Sequence, residues 1–315
     1  MSVVLHMRPQ DPPLSWDEFC ARSPPFAVAL DGYVAGGPRF DPAGPRINLN
    51  HHEEVDRFAT RATCAQVLIA VRQGLFARFR DESGVRAEVF CNDCDEDVCL
   101  SWFLLSHGHL AEHAMNPRLN RLVSMEDMLD ATAGAFPYPA DLPALRELAW
   151  VFEPYRRCRL SGELDRKQPE TYAAVVTEVE GRIARYLAGT GGSLPLDTRY
   201  ERLGGGPGWA MIREVGAQAR TGVFADGVRA YVAARPRPDG RWAYTVGRMS
   251  PFIPFDVPAL LAALNEAEGT TGAADRWGGG ATIGGSPRVA GSRLGPDEVA
   301  RVINDRLAAM RGGTG

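Results

Sequence analysis

Apolar positions along this chain fall into short unbroken runs and longer stretches with a helical repeat. Residues 26–30, 46–49 and 85–90 are brief apolar runs, each closed by a polar cluster. Runs of that length, bounded by turn residues, read as buried strands, and the periodic stretches after them read as helices. Strand and helix alternate in this way from residue 26 to about 136, and a further helical run follows Pro143. The clearest helix is 169–187, where Tyr172, Val175, Val176, Val179, Ile183 and Leu187 recur on one face behind an acidic first turn. Residues 189–208 are rich in Gly, Ser and Pro and read as an interdomain linker. Beyond them the pattern predicts a helix at 211–218, strands at 229–234 and 242–248, and helices at 257–267 and 296–310. The Pro-rich segment 1–24 reads as irregular apart from a short helix near 16–21. The expected fold is α/β in two domains, 1–188 with a parallel sheet and a smaller α/β domain at 209–315.

The polar clusters that close the strands carry the candidate chemistry. Asp31-Gly32 ends the first run, Asn50-His51-His52-Glu53 the second, and Asp93-Cys94-Asp95-Glu96-Asp97 follows the third. Open parallel sheets place ligand sites at the carboxyl ends of strands. In extended chain Asp93, Asp95 and Asp97 project to one side, and carboxylates so close repel unless cations neutralise them. A calcium loop is excluded, because Val98 stands where that loop needs Gly and Leu104 where it needs Glu. The plainer alternative is an acidic helix start ahead of Val98. His51 and His52 are adjacent and point apart, so one ring suits a metal and the other a substrate; a polar turn is the alternative. Asp31 is either a turn residue or a ligand bridging two ions.

Composition narrows the classes. With 315 residues, 45% hydrophobic and 23% charged, the chain is large enough for two globular domains. A net charge of −4 argues against long duplex nucleic acid as a partner. Lys167 is the only lysine; the Arg, Ala and Gly excess fits GC-rich coding better than dedicated phosphate recognition. No membrane span or leader stands out, so a cytoplasmic protein is expected. Cys91 and Cys94 form a C-x2-C without a second pair, and Cys20, Cys64, Cys99 and Cys158 are scattered, which suits free thiols better than zinc. His109 and His113, with His107 nearby, have helical i,i+4 spacing but lack the glutamate of an H-E-x-x-H motif.

Taken together, strand-Asp31, strand-Asn50-His51-His52 and the helix carrying Ala62-Thr63-Cys64-Ala65-Gln66 resemble the second and third motifs of DHH phosphoesterases. Asn92-Asp93-Cys94-Asp95-Glu96-Asp97-Val98 resembles that superfamily's first motif in its single-strand exonuclease branch. Ile283-Gly284-Gly285-Ser286-Pro287-Arg288-Val289-Ala290-Gly291 is similar to the Gly-rich signature of the associated DHHA1 domain, with Val246-Gly247-Arg248-Met249-Ser250 and 256–264 resembling the strand and helix before it. The resemblance covers most of the chain. It departs in three places: the first-motif string follows the His-His motif, Asn50 replaces an acid, and Ser286 replaces a His.

The resemblance implies a DHH-like catalytic domain and a DHHA1-like substrate domain acting on a phosphoester or phosphoanhydride of a small phosphorylated, nucleotide-like or short oligonucleotide substrate. It implies two Mn2+ ions, or Mg2+, with Asp93 and Asp95 on one, Asp97 and His51 on the other and Asp31 bridging. Asp130, or else Asp127, would supply the fourth-motif ligand. His52, Asp31 and Asp95 would be catalytic, and His52, Gly284, Gly285, Ser286 and Arg288 would hold substrate across the interdomain cleft. In this scheme Asn50 keeps a hydrogen bond that orients His51. A homodimer is compatible with it. The alternatives are a non-catalytic nucleotide-binding or sensory module and a specialised biosynthetic hydrolase on the same scaffold.

Overall fold

The structure is a computed structural model that describes residues 2–57, 59–112, 115–134, 136, 138–273 and 275–312. It is mixed α/β, with one sheet in each of two units. The first unit takes in Met1–Ala131 and Leu142–Pro195. It opens with β1 (Ser2–Met7), α1 (Trp16–Arg22), β2 (Ala27–Leu30), β3 (Arg39–Asp41) and β4 (Arg46–Leu49). Next come α2 (Thr63–Arg72), α3 (Leu75–Arg78), β5 (Arg80–Asp81), β6 (Gly84–Cys91) and α4 (Glu96–Ser106). The unit closes with α5 (Gly108–Glu112), α6 (Pro117–Ala131), α7 (Pro143–Val151), α8 (Glu153–Ser161) and α9 (Pro169–Leu187).

Strands run in the order β1-β6-β2-β4-β3, with β1, β6, β2 and β4 mutually parallel, β3 antiparallel to β4, and β5 antiparallel to β6. All four residues of β2 are buried, the unbroken apolar pattern required of a parallel strand covered on both faces. Leu30 lies opposite Leu49, and Ala29 opposite Phe90. The residues that follow these positions therefore share one edge of the sheet. Phe19 of α1 packs on Ala27, Ala29, Tyr33 and Val34, while α2 packs against α4 and α6, and α4 against α9.

Residues 2–7, expected to be irregular, instead form β1, an edge strand paired along its length with β6. Its half-exposed pattern hides the strand from a search for apolar runs. His6 stacks on Phe90 and pairs with Glu88 at 2.8 Å, so even its polar residue is held by β6.

The second unit comprises Thr132–Asp141 and Leu196–Gly315. Its elements are β7 (Tyr200–Gly206), β8 (Trp209–Glu214), α10 (Ala219–Ala225), β9 (Ala230–Pro236), β10 (Trp242–Arg248), α11 (Val257–Glu268), β11 (Gly278–Gly279), β12 (Ile283–Gly285) and α12 (Pro296–Gly312). The sheet order is β11-β12-β10-β9-β8-β7, antiparallel except for the parallel β8–β9 pair. Trp209 and Met211 join the core under α11 and α12, while Ala210 and Ile212 face Val223 of α10.

Two expectations are corrected here. Residues 209–214 are strand rather than the start of a 211–218 helix, because both faces of β8 are covered and burial erases its alternation. The Gly-rich end of the expected 189–208 linker is β7, an edge strand with a bulge between Arg202 and Gly204. A side chain on Gly205 would sit 2.6 Å from the Trp209 carbonyl, so the glycine permits close strand pairing rather than flexibility. The break between units falls after Pro195, and 132–141 groups with the second unit.

Candidate metal centre

The parallel register delivers Asp31 from the end of β2 and Asn50, His51 and His52 from the end of β4 to one edge, with the turn after β6 beside them. Asp31 adopts φ +49, followed by Gly32 at φ +81. Asp tolerates this left-handed conformation better than most residues, yet it still costs about 1 kcal/mol. The turn aims the carboxylate across the sheet edge. Asp31 Oδ1 lies 2.8 Å from His52 Nε2 and 3.4 Å from His51 Nε2, and it accepts the Thr63 hydroxyl at 3.0 Å.

His51 is fully buried, and its Nε2 is the centre of the arrangement. Asp130 Oδ2 is 2.7 Å away and Asp97 Oδ2 3.7 Å. The ligand atoms of Asp31, His51 and His52 lie within 4.8 Å of one another, and so do those of His51, Asp97 and Asp130. Asp97, buried in the first turn of α4, accepts the Thr63 amide through Oδ2 at 2.7 Å and the Cys64 amide through Oδ1 at 2.6 Å. It thus caps the start of α2 while one oxygen faces the histidine.

Asp130 decides whether a cation fits. Its Oδ2 is buried and makes no hydrogen bond, although it lies 2.7 Å from an imidazole nitrogen. The pair is close but not aligned for sharing a proton. A buried acceptor of this kind carries a desolvation penalty unless a positive group meets it. Three oxygen and imidazole side chains converging at this point, Asp130 with His51 and Asp97, suit a hard or borderline divalent cation. The residues therefore fit a metal.

Charges in the cluster are held in opposition. Burial works against the Asp31 charge, but His52 and His51 outweigh it and hold the carboxyl well below the usual range. Burial also opposes charge on His51, yet Asp130 and Asp31 raise it to about 10. Asp31 raises His52 in the same way. Burial, then Asp130 and Asp31, push Asp97 up to about 7. Asp130 is lowered, because His51 outweighs its burial. Without a cation the site keeps its carboxylates buried only by retaining protons among them.

The grouping differs from the expected ligand scheme. Asp93 and Asp95 belong to neither cluster: Asp95 Oδ1 caps α4 through the Val98 amide at 2.9 Å, and Asp93 Oδ1 accepts the Cys94 amide at 2.7 Å. The alternation of Asp93, Asp95 and Asp97 does not act as a strand face, because a helix begins at Glu96. Burial, then Asp31 and Asp93, push the Asp95 carboxyl well above its usual range. Asp127, the alternative to Asp130, is committed elsewhere. It pairs with Arg61 at 2.7 Å and accepts the Ala62 amide at 2.8 Å, capping α2 from α6.

Asn50 does not orient the His51 ring, contrary to expectation. Its amide donates to the carbonyls of Gly36 at 2.9 Å and Val34 at 3.4 Å, and its oxygen accepts the His52 amide. A carboxylate could not donate, so the local fold itself requires Asn here. Two contributors escape the sequence pattern. Thr63 presents its hydroxyl to Asp31, and Arg57 places Nη2 3.3 Å from His51 Nδ1 and donates to the Asp130 carbonyl at 3.3 Å. Nothing in the sequence distinguishes Arg57 from other surface arginines.

Of the further histidines, His107 stacks on Phe103 and contacts Ser106 and Glu180. Neither His107 nor His109 enters a metal-binding group among the described residues, and His113 lies outside them. All six cysteines are free thiols.

In the second unit the Gly-rich signature is largely satisfied internally. Gly284 sits in β12, where a side chain would meet Leu261 Cδ1 at 2.5 Å. Gly285 pairs with Thr245 in the sheet. The Ser286 hydroxyl accepts the Tyr244 amide at 3.0 Å and its own amide donates to the Tyr244 carbonyl. Amides of Val289 and Ala290 donate to the Asp275 carboxylate, and Arg288 is exposed.

No family model matches this chain, and neither do any of the curated proteins or solved structures.

Proposed function

We propose that the first unit is a metal-dependent phosphohydrolase acting on a small phosphorylated or nucleotide-like substrate. One observation carries this reading. Asp130 Oδ2, a buried oxygen met by the His51 imidazole at 2.7 Å but without an aligned hydrogen bond, faces the same space as His51 and Asp97. His51, Asp97 and Asp130 would hold one cation, and Asp31 would contribute to a second, with His52 left to face the substrate. Mn2+ or Mg2+ is the cation proposed, given the predominance of carboxylate oxygens. Such ions, when bound, would supply an acidified water and electrostatic stabilisation of the charge that develops on the phosphoryl group.

The chain's own groups divide the remaining work. His52 is the more accessible ring, with its side chain 37% exposed, and Asp31 favours its protonated form. It is placed to donate to a phosphoryl oxygen or a leaving group. Asp97 and Thr63 fix the start of α2 against the site, so ligand positions are set by helix and strand ends rather than by mobile loops. Arg57 adds a positive group at the same edge, suited to a phosphate oxygen.

Elemental analysis of purified protein, paired with Mn2+-dependent phosphate release from nucleotides, dinucleotides and short oligonucleotides, tests the reading. About two metals per chain with turnover is the expected result. No metal and no turnover after Mn2+ is restored would sink it and favour the non-catalytic module, and metal without turnover would point to a specialised substrate outside the panel.

A further inference from the structure

A cavity of about 730 Å³ lies wholly within the second unit, bounded by the β7–β8 turn, the loop 251–256 and the end of α12. Trp209, Phe255 and Leu307 lie beneath it, almost fully buried, and its accessible apolar surface includes Phe252 and Ile253. Its walls are cationic. Arg202, Arg229, Arg248 and Arg311 line it, against a single acid, Asp256. That acid is committed as the N-cap of α11, where Oδ1 accepts the Ala259 amide.

Arg248 is the informative residue. It is only 8% exposed, yet among the described residues no carboxylate forms an ion pair with it. Nε donates to the Ala281 carbonyl, and Nη1 donates to those of Pro251 and Ile253. These bonds take up Nε and Nη1 and leave Nη2 without a hydrogen bond among the described residues. Burial pulls its pKa down, and the Asp256 carboxylate offsets that only in part. Buried charges are ordinarily paired. A buried arginine with a donor edge to spare, on the wall of an apolar cavity, is a receptor for an anion.

We propose that this cavity binds a small organic anion, its phosphate or carboxylate head held by Arg248 and Arg229 and its apolar body against Phe252 and Ile253. A volume of about 730 Å³ is in the range of small-molecule sites. Phe252, 86% exposed at the rim, is placed to cover the bound body. The site needs neither the acidic cluster nor any metal.

Calorimetric titration of the EDTA-treated full chain with phenyl phosphate and with benzoate tests the proposal, with inorganic phosphate and benzyl alcohol as controls. At least one aryl anion should bind at one per chain, more tightly than inorganic phosphate, and benzyl alcohol should not bind. Which aryl anion binds better names the head group. Arg248→Met should remove binding, but Arg248 also ties three loop carbonyls, so the exposed pair Arg202→Gln with Arg229→Gln is the safer variant. It should weaken binding roughly tenfold or more while leaving Mn2+ binding unchanged. The proposal is overturned if neither aryl anion binds, if benzyl alcohol binds equally well, or if the double variant binds as wild type. Binding that appears only after Mn2+ is added would place the anion at the acidic cluster and also overturn it.

Discussion

As sequence motifs, the acidic edge of the first unit and the Gly-rich strand of the other are alike in promise, but their polar groups are in opposite states. Around His51 there are more buried acceptors than donors, and Asp130 Oδ2 is left without a hydrogen bond. Along 284–290 the reverse holds: Ser286 is tied to Tyr244, and the amides of Val289 and Ala290 are tied to Asp275. A motif whose groups are largely satisfied is held in place by the fold, whereas one whose buried carboxylates depend on proton-bearing histidines can exchange those protons for a cation. The comparison can be broken or sharpened by experiment.

The largest effect should come from Asp31→Ala, which removes the carboxylate shared by both histidines. Phosphate release should fall roughly a thousandfold or more and Mn2+ binding should be lost, with the circular dichroism spectrum retained. Wild-type turnover in this variant would dissolve the proposed centre. Asn50→Asp, although it restores an acid beside the histidines, should destabilise by about 3 kcal/mol, because it buries a charge against the Gly36 and Val34 carbonyls and removes the amide that donates to them. Denaturant titration reads that loss.

The pH response comes next. Asp97 is raised to about 7 and His51 to about 10. Both therefore bind protons more tightly in the folded chain than in the unfolded one, and their stabilisation fades as pH rises through those values. The EDTA-treated protein should lose melting temperature from about pH 4 to 7 as Asp97 ionises, and again as His51 deprotonates towards pH 10. Mn2+ should flatten the profile, with affinity rising with pH as protons are displaced. An identical pH profile with and without Mn2+ would contradict this.

Smaller effects separate support from chemistry. Asp127→Ala removes a distant cap and should cost about 1–2 kcal/mol, with Mn2+ affinity nearly unchanged in calorimetry. Ser286→Ala should cost about 1 kcal/mol and leave turnover within about twofold of wild type, the modest change ordinary for a site away from the chemistry. A large fall in turnover there would return the Gly-rich strand to the active site.

Much of the first unit was legible because its strands are short, apolar and closed by distinctive residues. The runs at 26–30, 46–49 and 85–90 fall on β2, β4 and β6, and the helix 169–187 matches α9. Asp31, His51, His52 and Asp97 could be named from strand ends alone. The rest depended on contacts distant in sequence. Asp127 and Asp130 sit three apart in α6, yet one caps a helix and the other faces His51. Only the packing of α6 against α2 separates those roles. In the same way β8 lost its alternation to helices on both faces, and β1 is stabilised by β6 rather than by its own composition.

The first turn of α2 is closed from outside. Its leading amides, Ala62, Thr63 and Cys64, are held by Asp127 and Asp97, residues 65, 34 and 33 positions further along the chain. Helix starts ordinarily find their caps within a few residues. Here the order of synthesis matters: as the chain emerges from the ribosome, α2 must wait with an open end until α4 and then α6 have followed. Amide exchange at these three positions should consequently be slow in the finished protein, fast at Ala62 in a fragment that stops before residue 127, and fast at all three in one that stops before residue 97.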